Sequence, residues 1–185
     1  MKYLIIFIAV LVVIIIGTLI LGGVFFTAAV SDAEIATHTP ELKVTVIYDV
    51  PMPEEHQQIV REWCEGLDID ERLIYGIIYA ESGFDPDAQN PETGCYGYMQ
   101  LNPSVYQRER FSDPKANLTA GIMELARLRC IYRDATMVLM CYNNGEAGAH
   151  RLIAKGITST AYTRKVLEYA EELKINGRMH EEVEE

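Results

Sequence analysis

Basic residues are scarce in this chain: 16 Lys and Arg stand against 27 Asp and Glu over 185 residues, a formal charge of −11 at pH 7. Binding to nucleic acid rests on neutralising phosphates with cations, so this balance argues against a nucleic-acid partner. Metal ligands are no better supplied. The four histidines (His38, His56, His150, His180) are scattered, and the four cysteines (Cys64, Cys95, Cys130, Cys141) include no C-x-x-C pair, which argues against zinc. Asp85-Pro86-Asp87 opens like a calcium loop, but Gln89, Asn90 and Tyr96 then fall at its fifth, sixth and twelfth positions. An EF-hand needs Asp or Asn, Gly and Glu there. No metal or cofactor is expected. Internal repeats and low-complexity tracts are also missing.

One absence is informative in the other direction. No charged residue occurs between Lys2 and Asp32, and Leu4 to Ile16 is almost pure Leu, Ile, Val and Phe. A helix needs roughly 20 apolar residues to cross a bilayer, whereas a cleavable signal's apolar stretch is usually about 7–15. Residues 1–30 are therefore expected to be a transmembrane signal-anchor, with a cleaved signal near Ala28, Ala29 and Ala33 as the rival. Lys2 and the terminal amine favour the cytoplasmic side for that end, which turns the rest of the chain outward. In an oxidising compartment the four cysteines could pair as two disulfides in three ways; buried thiols are the alternative.

The remainder, roughly 155 residues, suits one domain. Residues 31–53 look like a linker with three prolines (Pro40, Pro51, Pro53) and one strand-like run, Lys43 to Tyr48. Residues 54–185 read as mainly α. Ile59, Val60, Trp63, Cys64 and Leu67 fall at helix spacing. A second helix is expected from an Asp70 N-cap to near Gly83, carrying Leu73, Ile74, Ile77 and Ile78. A loop then runs from Phe84 to about Gly94, and further helices are expected over 114–132, 135–143 and 162–173. The closing Glu181-Glu182-Val183-Glu184-Glu185 reads as a solvated acidic tail.

Glu81 is the first candidate for chemistry. It follows Ile77 by four residues and Ile78 by three, so a continuous helix sets its carboxyl on the apolar stripe. A carboxylate pressed against apolar side chains loses hydration, and its pKa rises. An acid still protonated near neutrality can donate to a leaving oxygen, as glycosidic cleavage requires. Spacing alone also allows a glutamate that bends into solvent.

The surrounding sequence speaks for the first reading. Ile77-Ile78-Tyr79-Ala80-Glu81-Ser82-Gly83-Phe84 is followed by Gly97-Tyr98-Met99-Gln100-Leu101-Asn102-Pro103, then Asp113-Pro114 with Asn117 and Gly121. Cys141-Tyr142-Asn143-Asn144-Gly145 and Tyr162 with Val166 complete the series. In order and spacing these five blocks resemble the lytic transglycosylase (SLT) domain, which is related to goose-type lysozyme. The resemblance covers roughly Ile69 to Leu173. It implies a lysozyme-like helical domain with a groove and, as substrate, the glycan strands of peptidoglycan. Tyr98 stands where the family usually has Leu, and Cys141 and Asn144 where it usually has Ala; none of these departures removes a proposed catalytic group.

The resemblance also implies roles. Glu81 would protonate the oxygen joining N-acetylmuramic acid to N-acetylglucosamine, then take the proton of the sugar's own C6 hydroxyl as a 1,6-anhydro ring closes. Ser82, Tyr98, Met99, Gln100, Tyr142, Asn143 and Tyr162 would contact substrate or hold the acid. For each there is a plainer alternative: helix capping for Ser82, core filling for Tyr98 and Tyr162, loop packing for Met99 and Gln100, and a buried pair capping a helix for Tyr142 and Asn143. Asp85 and Asp87 could supply a second carboxylate for a hydrolytic muramidase, although Asp-Pro-Asp in a loop is usually turn chemistry. A non-catalytic wall-binding scaffold on the same fold is the third reading. An anchored enzyme of this kind would open the wall for remodelling or for passage of a secretion or conjugation machine.

Overall fold

Three aspartates set where the helices of this chain begin. In the computed structural model, which describes residues 42–176 and 178–183, Asp70 accepts a hydrogen bond from the backbone N–H of Arg72. Asp113 does the same for Ala116 and Asp134 for Met137. Each N-cap satisfies a donor the helix leaves unpaired, worth about 1 kcal/mol. The helices are α1 (Glu54–Leu67), α2 (Glu71–Glu81), a single turn α3 (Arg108–Phe111), α4 (Pro114–Ile131), α5 (Ala135–Ala154) and α6 (Ala161–Asn176). Strands β1 (Leu42–Ile47) and β2 (Arg178–Val183) pair as a two-stranded sheet.

Residues 45–180 form one compact unit, separate from the described residues 42–44 and 181–183. All six described helices belong to it. At its centre lies α2, where Ile74, Tyr75, Ile77 and Ile78 are fully buried. Burial of each aliphatic side chain contributes roughly 1.5–3 kcal/mol. The most extensive helix packing is that of α2 with α6, and α1 packs on α4, α4 on α5, and α5 on α6. Gly76 makes the α2–α6 approach possible, since a Cβ there would stand 2.4 Å from the Val166 carbonyl oxygen.

Some expectations meet a different outcome, and others lie outside the described residues. The expected transmembrane helix over residues 1–30 lies outside the described residues; among those described, no helix is long and apolar enough to cross a membrane. Part of the expected linker is strand β1, close to the strand-like run in the sequence. Of the expected acidic tail, residues 181–183 lie in strand β2, paired with β1, and 184–185 lie outside the described residues. The fifth helix continues past Asn143, with a break at Gly145 (φ 68°, ψ 158°) before its second half. No disulfide forms: Cys64 and Cys141 are buried, Cys130 is exposed on α4, Cys95 sits in a loop, and all four are free thiols.

Candidate active site

The helix α2 ends at Glu81, and the chain turns away through two residues in the left-handed region, Gly83 (φ 61°) and Phe84 (φ 69°). Ser82 caps this end: its N–H and its hydroxyl both donate to the Ile78 carbonyl, at 3.0 and 3.1 Å. Its side chain therefore serves the helix, and Ser82 does not line the cleft described below. Burial pushes the Glu81 carboxyl up from 4.5 to about 7, against the smaller opposing influence of the Tyr162 hydroxyl and the Lys165 ammonium. Tyr162 stands beside this carboxyl, yet its buried hydroxyl reaches no partner with full hydrogen-bond distance and angle. We take the pair as adjacent rather than tightly bonded.

An open cleft of about 530 Å³ runs past Glu81. One wall is the loop after α2, pinned from within. Fully buried Asn117 accepts from the Met99 N–H (3.0 Å) and donates to the Tyr96 carbonyl (3.0 Å). Gly97 (φ 76°) lies so close to Asn117 that a Cβ would meet its amide at 2.4 Å, and a Cβ on Gly121 would meet the Met99 sulfur at the same distance. Gln100, itself left-handed at φ 47°, donates its side-chain amide to the Ala88 and Gly97 carbonyls, both at 3.1 Å. Both amide hydrogens are thus engaged, which leaves the amide oxygen of Gln100 to face a ligand. The opposite wall comes from α5, where the Tyr142 hydroxyl donates to the Met99 carbonyl at 3.1 Å and ties the two walls together. Burial, then the neighbouring Glu81, push the Tyr142 hydroxyl well above its ordinary value, so it stays a neutral donor.

Of the residues expected from the sequence, Glu81, Met99, Gln100, Tyr142 and Asn143 line this one cleft. Tyr98 does not. It is fully buried, with its hydroxyl 3.0 Å from His56 Nδ1 and its ring edge-on to the imidazole. Met99 is nearly as buried as Tyr98; it lines the cleft while its sulfur lies over Gly121. Asp85 and Asp87 are also outside the cleft, and the Asp85 carboxylate accepts from the Asp87 N–H (2.9 Å) as turn chemistry. The carboxylate that does line the cleft with Glu81 is Glu124, which sequence reasoning missed. Its signal was the i,i+3 spacing from Gly121 on one face of α4. Two guanidinium N–H groups of Arg127 hold Glu124 at 2.8 and 2.9 Å. Asn144, Val105 and Tyr106 were missed as well and lie along the cleft. A half-buried acid of raised pKa, neutral donors and amide oxygens along an open cleft suit proton donation to a bound polyhydroxylated ligand.

Comparison with known proteins bears on this site. The family model described as transglycosylase SLT domain matches residues 58–162, more than half of the chain. Over 69 residues the chain is 42% identical to the membrane-bound lytic murein transglycosylase F of Desulfosudis oleivorans, a stretch covering 35% of this chain and 15% of that protein. Among solved structures it resembles an inactive mutant of the lytic transglycosylase Slt of Pseudomonas aeruginosa (TM-score 0.56, 18% identity, 67% of this chain and 25% of the other). It likewise resembles the 70 kDa soluble lytic transglycosylase of Escherichia coli (TM-score 0.55, 18% identity, 64% and 24%). The chain thus spans a quarter or less of each of these relatives.

Proposed function

The chain belongs to the transglycosylase SLT family, and from that premise we propose that it is a membrane-anchored lytic transglycosylase acting on peptidoglycan. The observation that carries this reading is the Glu81 carboxyl, raised to about 7 by burial beside an open cleft. Protonated Glu81 gives its proton to the oxygen between N-acetylmuramic acid and N-acetylglucosamine, and the bond from that oxygen to the muramoyl C1 breaks. The substrate's N-acetyl group supports the positive charge that develops. The C6 oxygen then bonds to C1 as its proton passes to the Glu81 carboxylate. The acid is regenerated, no water is consumed, and the product ends in 1,6-anhydromuramic acid. Near neutral pH a carboxyl of this pKa serves both directions of proton transfer.

The cleft contacts follow from the same reading. Gln100 and Asn143 offer hydrogen bonds to the sugars, Met99 an apolar wall, and Tyr142 and Tyr162 the setting of the acid. Residues 1–30 hold the domain at the outer face of the membrane, where it opens the wall for remodelling or for a secretion or conjugation machine. A hydrolytic outcome has one observation in its favour, the Glu124 carboxylate in the cleft, but Arg127 already occupies it.

The test compares the full chain with Glu81→Gln on purified peptidoglycan, the released muropeptides being read by mass spectrometry. Products one water lighter than their reducing counterparts are expected from the parent and not from the variant. Reducing products would move the reading to hydrolysis, with Glu124 as the group that activates water. Wall binding without any product would leave a scaffold.

A further inference from the structure

The last turn of a helix exposes carbonyl oxygens without intrahelical partners, at the negative end of the helix dipole. In α2 this turn carries Glu81, and a cation from α6 sits on it. The Lys165 ammonium donates to the carbonyls of Tyr79 and Ala80, each at 3.3 Å, and stands 4.6 Å from the centre of the Tyr79 ring. That ring is stacked on Tyr169 of α6 at 4.2 Å, with Phe84 beside both. The next residue, Val166, sets its backbone carbonyl against Gly76 one turn earlier in α2. The two helices are therefore joined at two levels, and the upper one ends at the residue before Glu81. Neither Tyr79 nor Lys165 lines the cleft, so neither is needed there to touch a ligand.

We propose that Lys165 is a positioning residue for Glu81: its ammonium, held between the last carbonyls of α2 and the face of Tyr79, locks the helix end to α6 and so sets where the acid stands in the cleft. This rests on the reading of Glu81 as the acid. The side chain is exposed, and contacts of this kind at a surface add little to folding stability. Its loss should therefore register in catalysis more than in unfolding. The groups that act on the Glu81 carboxyl are Tyr162 and Lys165 from α6 and Tyr142 from α5, and Lys165 is the cation among these three. Removing that cation favours the protonated carboxyl, so the acid form persists to higher pH.

The experiment measures anhydro-product release by the full chain and by Lys165→Met and Lys165→Arg, over about pH 5 to 9, beside their melting temperatures. For Lys165→Met, kcat should fall about tenfold, within the range that small misplacement of a reacting group produces. KM and melting temperature should change little, and the basic limb of the pH profile should move upward. Lys165→Arg, which keeps the charge and the donors, should restore both kcat and limb. An unmoved limb with parental kcat, or a loss of activity that merely tracks a fall in melting temperature, overturns the proposal. Should Lys165→Met fail to fold, Lys165→Gln keeps an N–H donor and drops the charge; the limb must then move up in the same way, and an unmoved limb overturns the proposal. A parent chain that releases no product refutes the functional reading instead, and the role of Lys165 is then decided by carbon-13 NMR titration of the Glu81 carboxyl in the same variants.

Discussion

At the scale of one residue, the proposed acid Glu81 trades stability for reactivity. The folded state holds its proton more tightly than the ordinary value of 4.5 and releases it only near 7. The stability attached to this proton is therefore complete below about pH 4.5 and is lost as pH rises through about 7. At 1.36 kcal/mol per pKa unit the cost of ionising it in place is about 3 kcal/mol. Glu81→Gln, neutral at every pH, should match the parent in chemical denaturation at pH 4 and exceed it by up to about 3 kcal/mol at pH 8. Equal stability at both pH values would place the carboxyl in water and undo its assignment as the acid. The same ionisation predicts that product release falls as pH rises through about 7, since the protonated form starts the reaction. The spacing of Ile77, Ile78 and Glu81 made this burial legible in the sequence. Tyr98 was not legible in the same way, because its direction depends on a loop whose shape is dictated by Asn117, 18 residues from Met99 in the chain.

At the scale of elements, helices with an apolar stripe and a capping aspartate were readable, and those held by partners elsewhere were not. The α2 start behind its Asp70 cap agrees with the sequence pattern, and its end at Glu81 falls two residues short of the expected Gly83. The single turn α3 and the strand β2 have no periodicity of their own, and Gly145 hides its break inside an otherwise helical run. Gly76 shows how packing reverses a local expectation. By intrinsic preference, Gly76→Ala in the middle of α2 should stabilise the helix by about 1 kcal/mol. A Cβ there would lie 2.4 Å from the Val166 carbonyl oxygen, which is backbone and cannot rotate aside. We expect a net destabilisation of about 1–3 kcal/mol in thermal unfolding. Activity should fall further than the stability loss explains, because α6 carries Tyr162 and Lys165 and would be pushed off the helix that ends at Glu81. A variant as stable and active as the parent would show that α2 and α6 stand farther apart than this.

At the scale of the whole molecule, charge and the proposed tether act against each other. A chain at −11 is repelled by an anionic wall, and its substrate contacts must overcome that repulsion in solution. Repulsion between exposed charges reaches about 30 Å at 10 mM salt and about 8 Å at 150 mM. A chain lacking residues 1–30 should therefore leave the membrane fraction and digest suspended wall sacculi several-fold faster at the higher salt. Tethering replaces diffusional encounter by a high local concentration of enzyme at the wall. In membranes carrying the full chain, digestion of the same sacculi should then depend on salt far less steeply. If the shortened chain instead slows as salt rises, attraction between the domain and the wall must dominate, and the groups responsible would have to be sought among the basic side chains, Arg127 first, because it holds the cleft carboxylate Glu124.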